Sequence, residues 1–140
     1  MSGISGLPAM TYYSASKFAV EGFSEALSKE LKPEWNIKIG IIAFGNFKTN
    51  VVQALIDLNL PSLPAYEGGV VTDMRSAFHP EGGNSPVAAA REMYRIANDP
   101  ASPSRVRLLL GADTIGFAKG QIKQLQADTD VSEPLAATLV

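Results

Sequence analysis

The chain has 140 residues, which is the length of one ordinary domain. Its formal net charge is −2, from 12 basic and 14 acidic residues that are scattered along the sequence, so the concentrated basic face that nucleic acid requires is not expected. Cysteine is absent, which excludes disulfides and thiolate metal sites and predicts a reducing, cytoplasmic location. No apolar run approaches the roughly 20 residues of a membrane span, so no membrane partner is expected.

The first strong pattern along the chain is helical. Apolar residues recur at steps of three and four between Thr11 and Leu31, with Thr11 as the expected N-cap and Pro33 ending the pattern. Such a stripe is typical of a core-facing helix or of a subunit interface, and it leaves open a homo- or hetero-oligomer formed through residues 11–31. The members of the stripe are Ala15, Phe18, Ala19, Phe23, Ala26, Leu27 and Leu31.

A buried strand is predicted next. Ile37 to Phe44 reads IKIGIIAF, a nearly continuous apolar run with β-branched residues, which is typical of a strand covered on both faces. A long segment of mixed character, here called the excursion, follows from Asn46 to Ser85 and contains one helical pattern from Val51 to Leu58. Because so long a segment is unusual inside a compact domain, we expect the excursion to cover a site.

The second half of the chain predicts a further helix and a further strand. Ser85 offers a capping hydroxyl and Pro86 suits the first helical position, so a helix should begin here and run to about Asn98. Arg107 to Leu110 reads RLLL and predicts a second short apolar strand.

A last helix and a tail close the chain. Asp113 is the expected cap of a helix from Thr114 to about Gln126, and residues 128–140 are weakly patterned and expected to be loosely ordered. Strands that alternate with helices predict a parallel sheet with helices packed on it, which is the α/β class. The sequence predicts about two strands and three to four helices. Two parallel strands do not make a complete sheet, so the predicted sheet is incomplete as it stands.

The sharpest chemical feature is Tyr13 with Lys17. Residues four apart near the start of a helix lie on the same face, one turn from each other. A nearby cation and the positive end of a helix both favour the charged form of a phenol, which makes tyrosine usable for proton transfer near neutral pH. Tyr12 is five residues from Lys17 and lies elsewhere on the helix. Taken alone, this spacing also arises by chance in many helices.

The wider context resembles the short-chain dehydrogenase/reductase family. The matching segments are YSASKFAVEGFSEAL from Tyr13 to Leu27, in the subgroup with Y-S-A-S-K, and FGNFKT from Phe44 to Thr49. The match covers the C-terminal half of the family. It implies the C-terminal half of a Rossmann-like doubly wound parallel sheet, with residues 1–127 as part of an NAD(P)-binding domain and residues 46–85 as the substrate-loop region.

The resemblance implies a role for five residues. Tyr13 would be the general acid/base, and Lys17 would hydrogen-bond the nicotinamide ribose and assist the ionisation of the tyrosine. After the following strand the family usually has P-G-x-x-x-T, which holds the nicotinamide carboxamide, and Gly45, Phe47 and Thr49 match that segment by position. The expected cofactor is NAD(P), with NADP favoured over NAD.

Three features depart from the family pattern. Phe44 stands where the proline is expected. The family's serine, thirteen residues before the tyrosine, would fall immediately before Met1, and the ungapped alignment leaves Ser2 and Ser5 outside that position. The glycine-rich G-x-x-x-G-x-G turn that cradles the cofactor pyrophosphate does not occur in these 140 residues.

These observations predict an oxidoreductase that transfers hydride between NAD(P)(H) and an alcohol or carbonyl substrate, with apolar residues of the excursion hinting at an apolar substrate. Because the glycine-rich turn is missing, we expect the 140-residue chain to be inactive by itself. The alternative is a non-catalytic truncated paralogue that acts as an interaction partner through the helix of residues 11–31.

Two other readings are weaker. An esterase would use Ser24 as nucleophile and His79 as base, but Ser24 lies inside a helical pattern and not at a strand-to-helix turn. Asp128 and Asp130 have no histidine near them in sequence, so no metal site is expected.

Overall fold

The computed structural model describes residues 1–58, 60–77, 79, 82–99 and 107–139. Within these residues the chain forms five α-helices, two β-strands and three single turns of 3-10 helix. The helices are α1 (Thr11–Glu30), α2 (Val51–Leu58), α3 (Val70–Ser76), α4 (Pro86–Asn98) and α5 (Ala112–Ala136); the strands are β1 (Ile41–Phe44) and β2 (Arg107–Leu110); the 3-10 turns are Pro33–Trp35, Pro64–Tyr66 and Ala137–Leu139.

The two strands form one parallel pair. Ile41 is opposite Arg107 and Phe44 is opposite Leu110, so every residue of each strand is in register with one of the other. The connection from β1 to β2 includes α2, α3 and α4, as a parallel crossover requires. The predicted α/β class is confirmed, and the two parallel strands bring the ends of β1 and β2, at Phe44 and Leu110, to one edge.

The core between the strands and helices is thin. Among the described residues, Ala43 and Val52 are the hydrophobic side chains that are buried, whereas Phe23 is 69% exposed. A two-stranded sheet offers little area for helices to cover, which accounts for the small number of buried apolar residues. Among the described residues, no helix is both long enough and apolar enough to span a bilayer.

The first strand is shorter than predicted. β1 begins at Ile41 and not at Ile37. In the described part of the chain, Ile41–Phe44 pair with Arg107–Leu110 in parallel register, and the Gly45 amide adds one further hydrogen bond, to the Leu110 carbonyl.

The start of α1 and the middle of the excursion also differ from expectation. Thr11 is the first helical residue and not the N-cap; Met10 occupies the cap position, without a side-chain cap hydrogen bond. The excursion holds a second helix, α3, which the sequence did not reveal because seven residues give too short a periodic signal. The predicted helices over Val51–Leu58 and Pro86–Asn98 are confirmed, and the Ser85 side chain accepts from the Ala88 amide at 3.3 Å.

The last helix begins earlier and ends later than predicted. The N-cap of α5 is Gly111, so the prediction that Asp113 caps this helix is wrong; Asp113 lies in its first turn. The helix continues to Ala136, ten residues past the expected end at Gln126. Side-chain pairs four residues apart contribute to this extension: Gln124 donates to Asp128 at 2.8 Å, and Gln126 donates to Asp130 at 2.7 Å.

Candidate active site

The first part of the site is a tyrosine and a lysine one helical turn apart. The Lys17 ammonium lies 5.3 Å from the centroid of the Tyr13 ring, over its face. The two side chains meet because they lie at positions i and i+4 of α1. Tyr13 is 49% exposed, so a substrate can reach the phenol, and Ser16 donates to the Tyr13 carbonyl at 2.7 Å. Tyr12 is 92% exposed and takes no part in this pair.

Further along α1, an ion pair joins this helix to the sheet. Glu21 is buried, and its carboxylate accepts from Arg107 Nε at 2.7 Å, at the start of β2. The hydrogen bond from Arg107 to Glu21 is the main reason why the pKa of Arg107 is raised above its ordinary value. Glu25 lies one turn further on and is 3.4 Å from the same guanidinium. These contacts set the position of α1, and therefore of Tyr13, relative to the strands.

The second part of the site is the segment Gly45–Thr49, here called the β1 loop. Gly45 donates its amide to the Leu110 carbonyl at 2.9 Å, which continues the strand pairing by one residue. Asn46 donates its amide to Asp113 Oδ2 at 2.6 Å. Phe47 packs edge-to-face on Phe44, with ring centroids 5.3 Å apart. Three successive residues of the loop are therefore held by three different contacts.

The Asp113 carboxylate fills the space beside Gly45 and Gly111 in which a side chain on either glycine would lie. A Cβ on Gly45 would overlap this carboxylate, and a Cβ on Gly111 would lie 2.5 Å from Oδ1. Gly111 also has φ +126°, a conformation that favours glycine. In the described part of the chain, Asp113 Oδ1 is buried and has no hydrogen-bond donor. The two glycines that follow β1 and β2 therefore make room for the carboxylate between the strand ends.

The beginning and the end of the excursion meet beside this loop. Asn84 donates its backbone amide to the Asn46 carbonyl at 2.8 Å and its side-chain amide to the same oxygen at 2.9 Å, while Lys48 donates its backbone amide to the Asn84 carbonyl at 3.0 Å. Gly83 has φ +112°, and a Cβ there would lie 2.9 Å from the Lys48 nitrogen. The excursion is thus a closed loop with its neck at the β1 loop.

An open cleft of about 260 Å³ lies beside this neck, between α4 and β2. Its wall is mainly apolar and includes Phe47, Ala88 and Leu109, with Glu92 as its acidic member. The cleft does not include Tyr13 or Lys17 in its lining, so it is separate from the tyrosine and lysine pair.

The five predicted site residues thus form two groups. Tyr13 and Lys17 form one; Gly45 and Phe47 lie with the exposed Thr49 in the other. In the described part of the chain, no hydrogen bond joins the two groups directly.

The N-terminal segment lies between them: the Met1 amine donates to the Phe44 carbonyl at 2.7 Å, and a Cβ on Gly3 would lie 3.1 Å from the Lys17 carbonyl oxygen. Burial lowers the pKa of the Met1 amine below its ordinary value, and Glu21 opposes that shift.

Two alternative sites gain no support from the geometry. Ser24 lies in the middle of α1, and His79 is an exposed residue of the excursion. Neither side chain makes a hydrogen bond in the described part of the chain, whereas a serine nucleophile needs its base within hydrogen-bonding reach. Searching residues 1–58, 60–77, 79, 82–99 and 107–139, we find no cluster of three metal-ligating side chains.

Sequence reasoning missed the role of Asp113 and the ion pair of Glu21 with Arg107. The sequence predicts Asp113 as a helix cap because it follows a strand and a glycine, which is the usual cap signal. One sequence feature could have indicated the position of Asp113. Gly45 and Gly111 each follow directly on one of the two strands that are predicted to be parallel. Two such glycines predict a close approach at the strand ends.

Comparison with known proteins places these features in context. The sequence model of the short chain dehydrogenase family matches residues 1–59, which contain all five predicted site residues. The oxidoreductase calM of Penicillium decumbens is 34% identical over 140 aligned residues, covering 95% of this chain and 45% of that protein. The 3-ketodihydrosphingosine reductase of Bacteroides thetaiotaomicron is 49% identical over 49 residues, covering 35% of this chain and 18% of that protein.

A solved structure is similar over almost the whole chain. A crystal structure of a short-chain dehydrogenase from Streptomyces avermitilis superposes with a TM-score of 0.75 at 26% identity, covering 98% of this chain and 48% of that one. The chain therefore spans about half the length of the relatives that it matches from end to end. This match also confirms that the two strands and their helices correspond to part of a Rossmann-like fold.

Proposed function

The chain belongs to the short-chain dehydrogenase family, and on that premise we propose that it carries the proton-transfer and nicotinamide-binding end of an NAD(P)-dependent oxidoreductase site. The observation that carries the proposal is the position of the Lys17 ammonium, 5.3 Å from the centre of a half-exposed Tyr13 ring. A phenol in that setting has both the access and the charged neighbour that proton transfer requires.

The residues of the two groups fit the nicotinamide half of the cofactor. Tyr13, Lys17 and Thr49 offer two hydroxyls and an ammonium, which suit ribose hydroxyls and a carboxamide. Gly45 belongs to the β1 loop, and its Cα lies against the Asp113 carboxylate. When bound, the nicotinamide ring supplies the hydride transfer. The Tyr13 hydroxyl would give a proton to the carbonyl oxygen in reduction or take one from the alcohol in oxidation, and Lys17 would hold the ribose.

The substrate that we propose is an apolar ketone or secondary alcohol. Val51, Leu55 and Leu58 of α2 are exposed on the excursion, which follows directly on the β1 loop. Exposed apolar side chains on the segment that follows the β1 loop suit a carbonyl carried by a hydrocarbon chain. One relative is itself named as a reductase of a keto compound, 3-ketodihydrosphingosine.

We further propose that the dinucleotide is NADP and that the 140 residues bind it poorly by themselves. A pyrophosphate needs a cradle of backbone amides at a helix N-terminus, and the sequence contains no G-x-x-x-G-x-G turn. In this proposal residues 1–127 are the C-terminal part of an NAD(P)-binding domain in a cytoplasmic enzyme, and residues 128–140 are a loosely held tail.

A second candidate function is favoured by the exposed apolar face of α1. Val20 and Phe23 lie three residues apart, on one side of α1, and are 57% and 69% exposed. A non-catalytic partner protein would use this face to pair with a longer relative or with a second copy. Phe23→Asp should then abolish association in sedimentation experiments, and the chain should show no response to nicotinamide ligands.

The test of the main proposal is a titration with half of the cofactor. Reduced nicotinamide mononucleotide should perturb the NMR signals of Tyr13, Lys17 and Thr49, because it contains the ring and ribose that these residues fit. NADPH and NADH should bind no more than about tenfold tighter, because the adenosine half finds no dedicated site. Adenosine monophosphate is the matched control and should leave these signals unchanged.

Two substitutions sharpen the result. Lys17→Met keeps the length of the side chain and removes its charge, so it should weaken the response to the mononucleotide, while Lys29→Met on the same helix should not. No response of the wild-type chain at Tyr13 or Lys17 would contradict the proposed site. Micromolar binding of NADPH would contradict the proposal that these residues lack a dinucleotide site.

A further inference from the structure

Asp113 is not one of the five predicted site residues, but its carboxylate contacts the β1 loop directly. We infer that Asp113 is a positioning residue for the nicotinamide-binding segment: its carboxylate, presented by the first turn of α5, holds the Asn46 amide and thereby sets the backbone of the β1 loop. The inference rests on the proposed function for the identity of the ligand, and on the geometry alone for the positioning.

The first argument is the hydrogen bond itself. Asn46 N and Asp113 Oδ2 are 2.6 Å apart, although the two residues are 67 positions apart in the chain. A hydrogen bond to an ionised carboxylate is about twice as strong as a neutral one. Asn46 is exposed, so without this acceptor its amide would be solvated, and the loop would lose one of the contacts that hold its backbone.

The second argument is that both strand ends are shaped around the carboxylate. Gly45 and Gly111 each leave out a Cβ that would lie within 2.5 Å of the Asp113 side chain. Gly111 also adopts a φ that other residues rarely take. A side chain that pointed from the helix into solvent would not need two glycines to make room for it.

The third argument is the location of the loop. Gly45, Phe47 and Thr49 are the positions that match the nicotinamide segment of the family, and Asn46 lies between the first two of them. Asn46 also accepts both amides of Asn84 through its carbonyl, at the neck of the excursion. Asp113 therefore anchors a residue that lies among the matching positions and also closes the neck of the excursion.

The experiment measures amide hydrogen exchange in the wild-type chain and in three variants. The Gly45 amide is the internal reference, because it donates to Leu110 and not to Asp113. Asp113→Ala should make the Asn46 amide exchange at least about tenfold faster relative to Gly45. Asp113→Asn keeps an acceptor oxygen and should restore most of the protection. Asp130→Ala removes a carboxylate that accepts from Gln126 on the same helix, and it should leave the ratio unchanged.

The functional arm uses reduced nicotinamide mononucleotide as the probe. Asp113→Ala should weaken its binding by at least about threefold, whereas Asp130→Ala should not change it. An Asn46 amide that exchanges in the wild-type chain as fast as the amide of an unstructured residue would overturn the inference, and so would an unchanged ratio in a folded Asp113→Ala chain. Loss of Asn46 protection with unchanged ligand binding would also overturn it.

The two proposals fail in different ways. If the wild-type chain does not respond to the mononucleotide at all, the proposed function fails, while the exchange ratios still decide whether Asp113 positions the loop. If Asp113→Ala does not fold, protection of Asn46 in the wild-type chain and its retention in Asp113→Asn are the required results.

Discussion

Gly45 shows how a single residue links the sheet to the candidate site. It ends β1, extends the strand pairing through its bond to Leu110, and lies against the Asp113 carboxylate. The family resemblance identified this glycine by its position in a motif. The structure adds a physical reason for it, because the carboxylate occupies the volume where a side chain would be.

Replacing Gly45 should therefore be costly. In Gly45→Ala the added methyl group would overlap the Asp113 carboxylate, and the repacking should lower the free energy of unfolding by about 1–3 kcal/mol in urea denaturation. Gly22→Ala is the matched control: it lies inside α1 with open space around its Cα, so alanine should stabilise the chain by about 0.5–1 kcal/mol. Equal effects of the two substitutions on the free energy of unfolding would contradict the close approach of the Asp113 carboxylate to Gly45.

Residues close together in sequence were the easier part of the site to predict. Tyr13 and Lys17 could be paired from the sequence because helical spacing alone brings positions i and i+4 together. Asp113 could not be paired with Asn46, because their contact depends on the register of two strands. The same reason hid the pairing of Glu21 with Arg107, which are 86 residues apart.

At the scale of elements, a small group of charges connects α1 to β2. Glu25 accepts from Lys29 at 2.7 Å and lies 3.4 Å from Arg107. The hydrogen bond from Lys29, followed by its charge and by Arg107, lowers the pKa of Glu25 below its ordinary value of 4.5. Since the pKa is lower in the folded than in the unfolded chain, the unfolded chain binds more protons as the pH falls through this range.

We therefore expect acid to weaken the contacts of Glu25, first its pairing with Lys29 within α1 and second its contact with Arg107 of β2. The contribution of Glu25 to stability is present above pH 4.5 and is lost as the pH falls through the lowered pKa of the folded state. Thermal midpoints measured between neutral pH and strong acid should fall less in Glu25→Gln than in the wild-type chain. Because Glu25 is solvent-exposed, the difference should be small and should shrink in high salt. A larger acid loss in Glu25→Gln than in the wild type would contradict this account.

The C-terminal half of α5 is a helical segment that the sequence pattern does not predict. Its periodic pattern fades after Gln126, yet the helix continues to Ala136. The chain there contains Thr129, Val131 and Pro134, which are weak helix formers, and Val131 is 70% exposed. Sequence patterns detect helices through their buried face, so a helix without one gives little signal.

We expect this half of α5 to open more readily than the first half. An exposed helix without a buried face is marginal in water, so amides after Gln126 should exchange much faster than those from Ile115 to Lys123. Mass-spectrometric hydrogen exchange resolves the two halves, and deletion of residues 128–140 should leave the protection of the first half unchanged. Equal protection along the whole of α5 would mean that the tail is firmly held.

At the scale of the whole molecule, the surface is large for the mass. The accessible surface is 10,550 Å², whereas a folded monomer of this mass exposes about 7,000 Å². The excess reflects a two-stranded sheet with helices that leave many apolar side chains uncovered. The sequence predicted this incompleteness from the count of strands, because two parallel strands cannot bury both of their faces.

The candidate site is also incomplete, because the chain matches only about half the length of its relatives. The relatives that match this chain from end to end are about twice as long, and the features found here are the Tyr13 and Lys17 pair and the β1 loop. We propose that these two features hold the nicotinamide ring and its ribose. The account therefore depends on whether that half of the cofactor binds against Tyr13 and Thr49 and not elsewhere.

The most direct test is an isotope-filtered nuclear Overhauser measurement on the chain with bound reduced nicotinamide mononucleotide. We predict contacts from the nicotinamide ring protons to the Tyr13 ring and to the Thr49 methyl group, and contacts from the ribose to the Lys17 methylene groups. Contacts confined to the cleft between α4 and β2, around Ala88 and Leu109, or no contacts at all, would contradict the account.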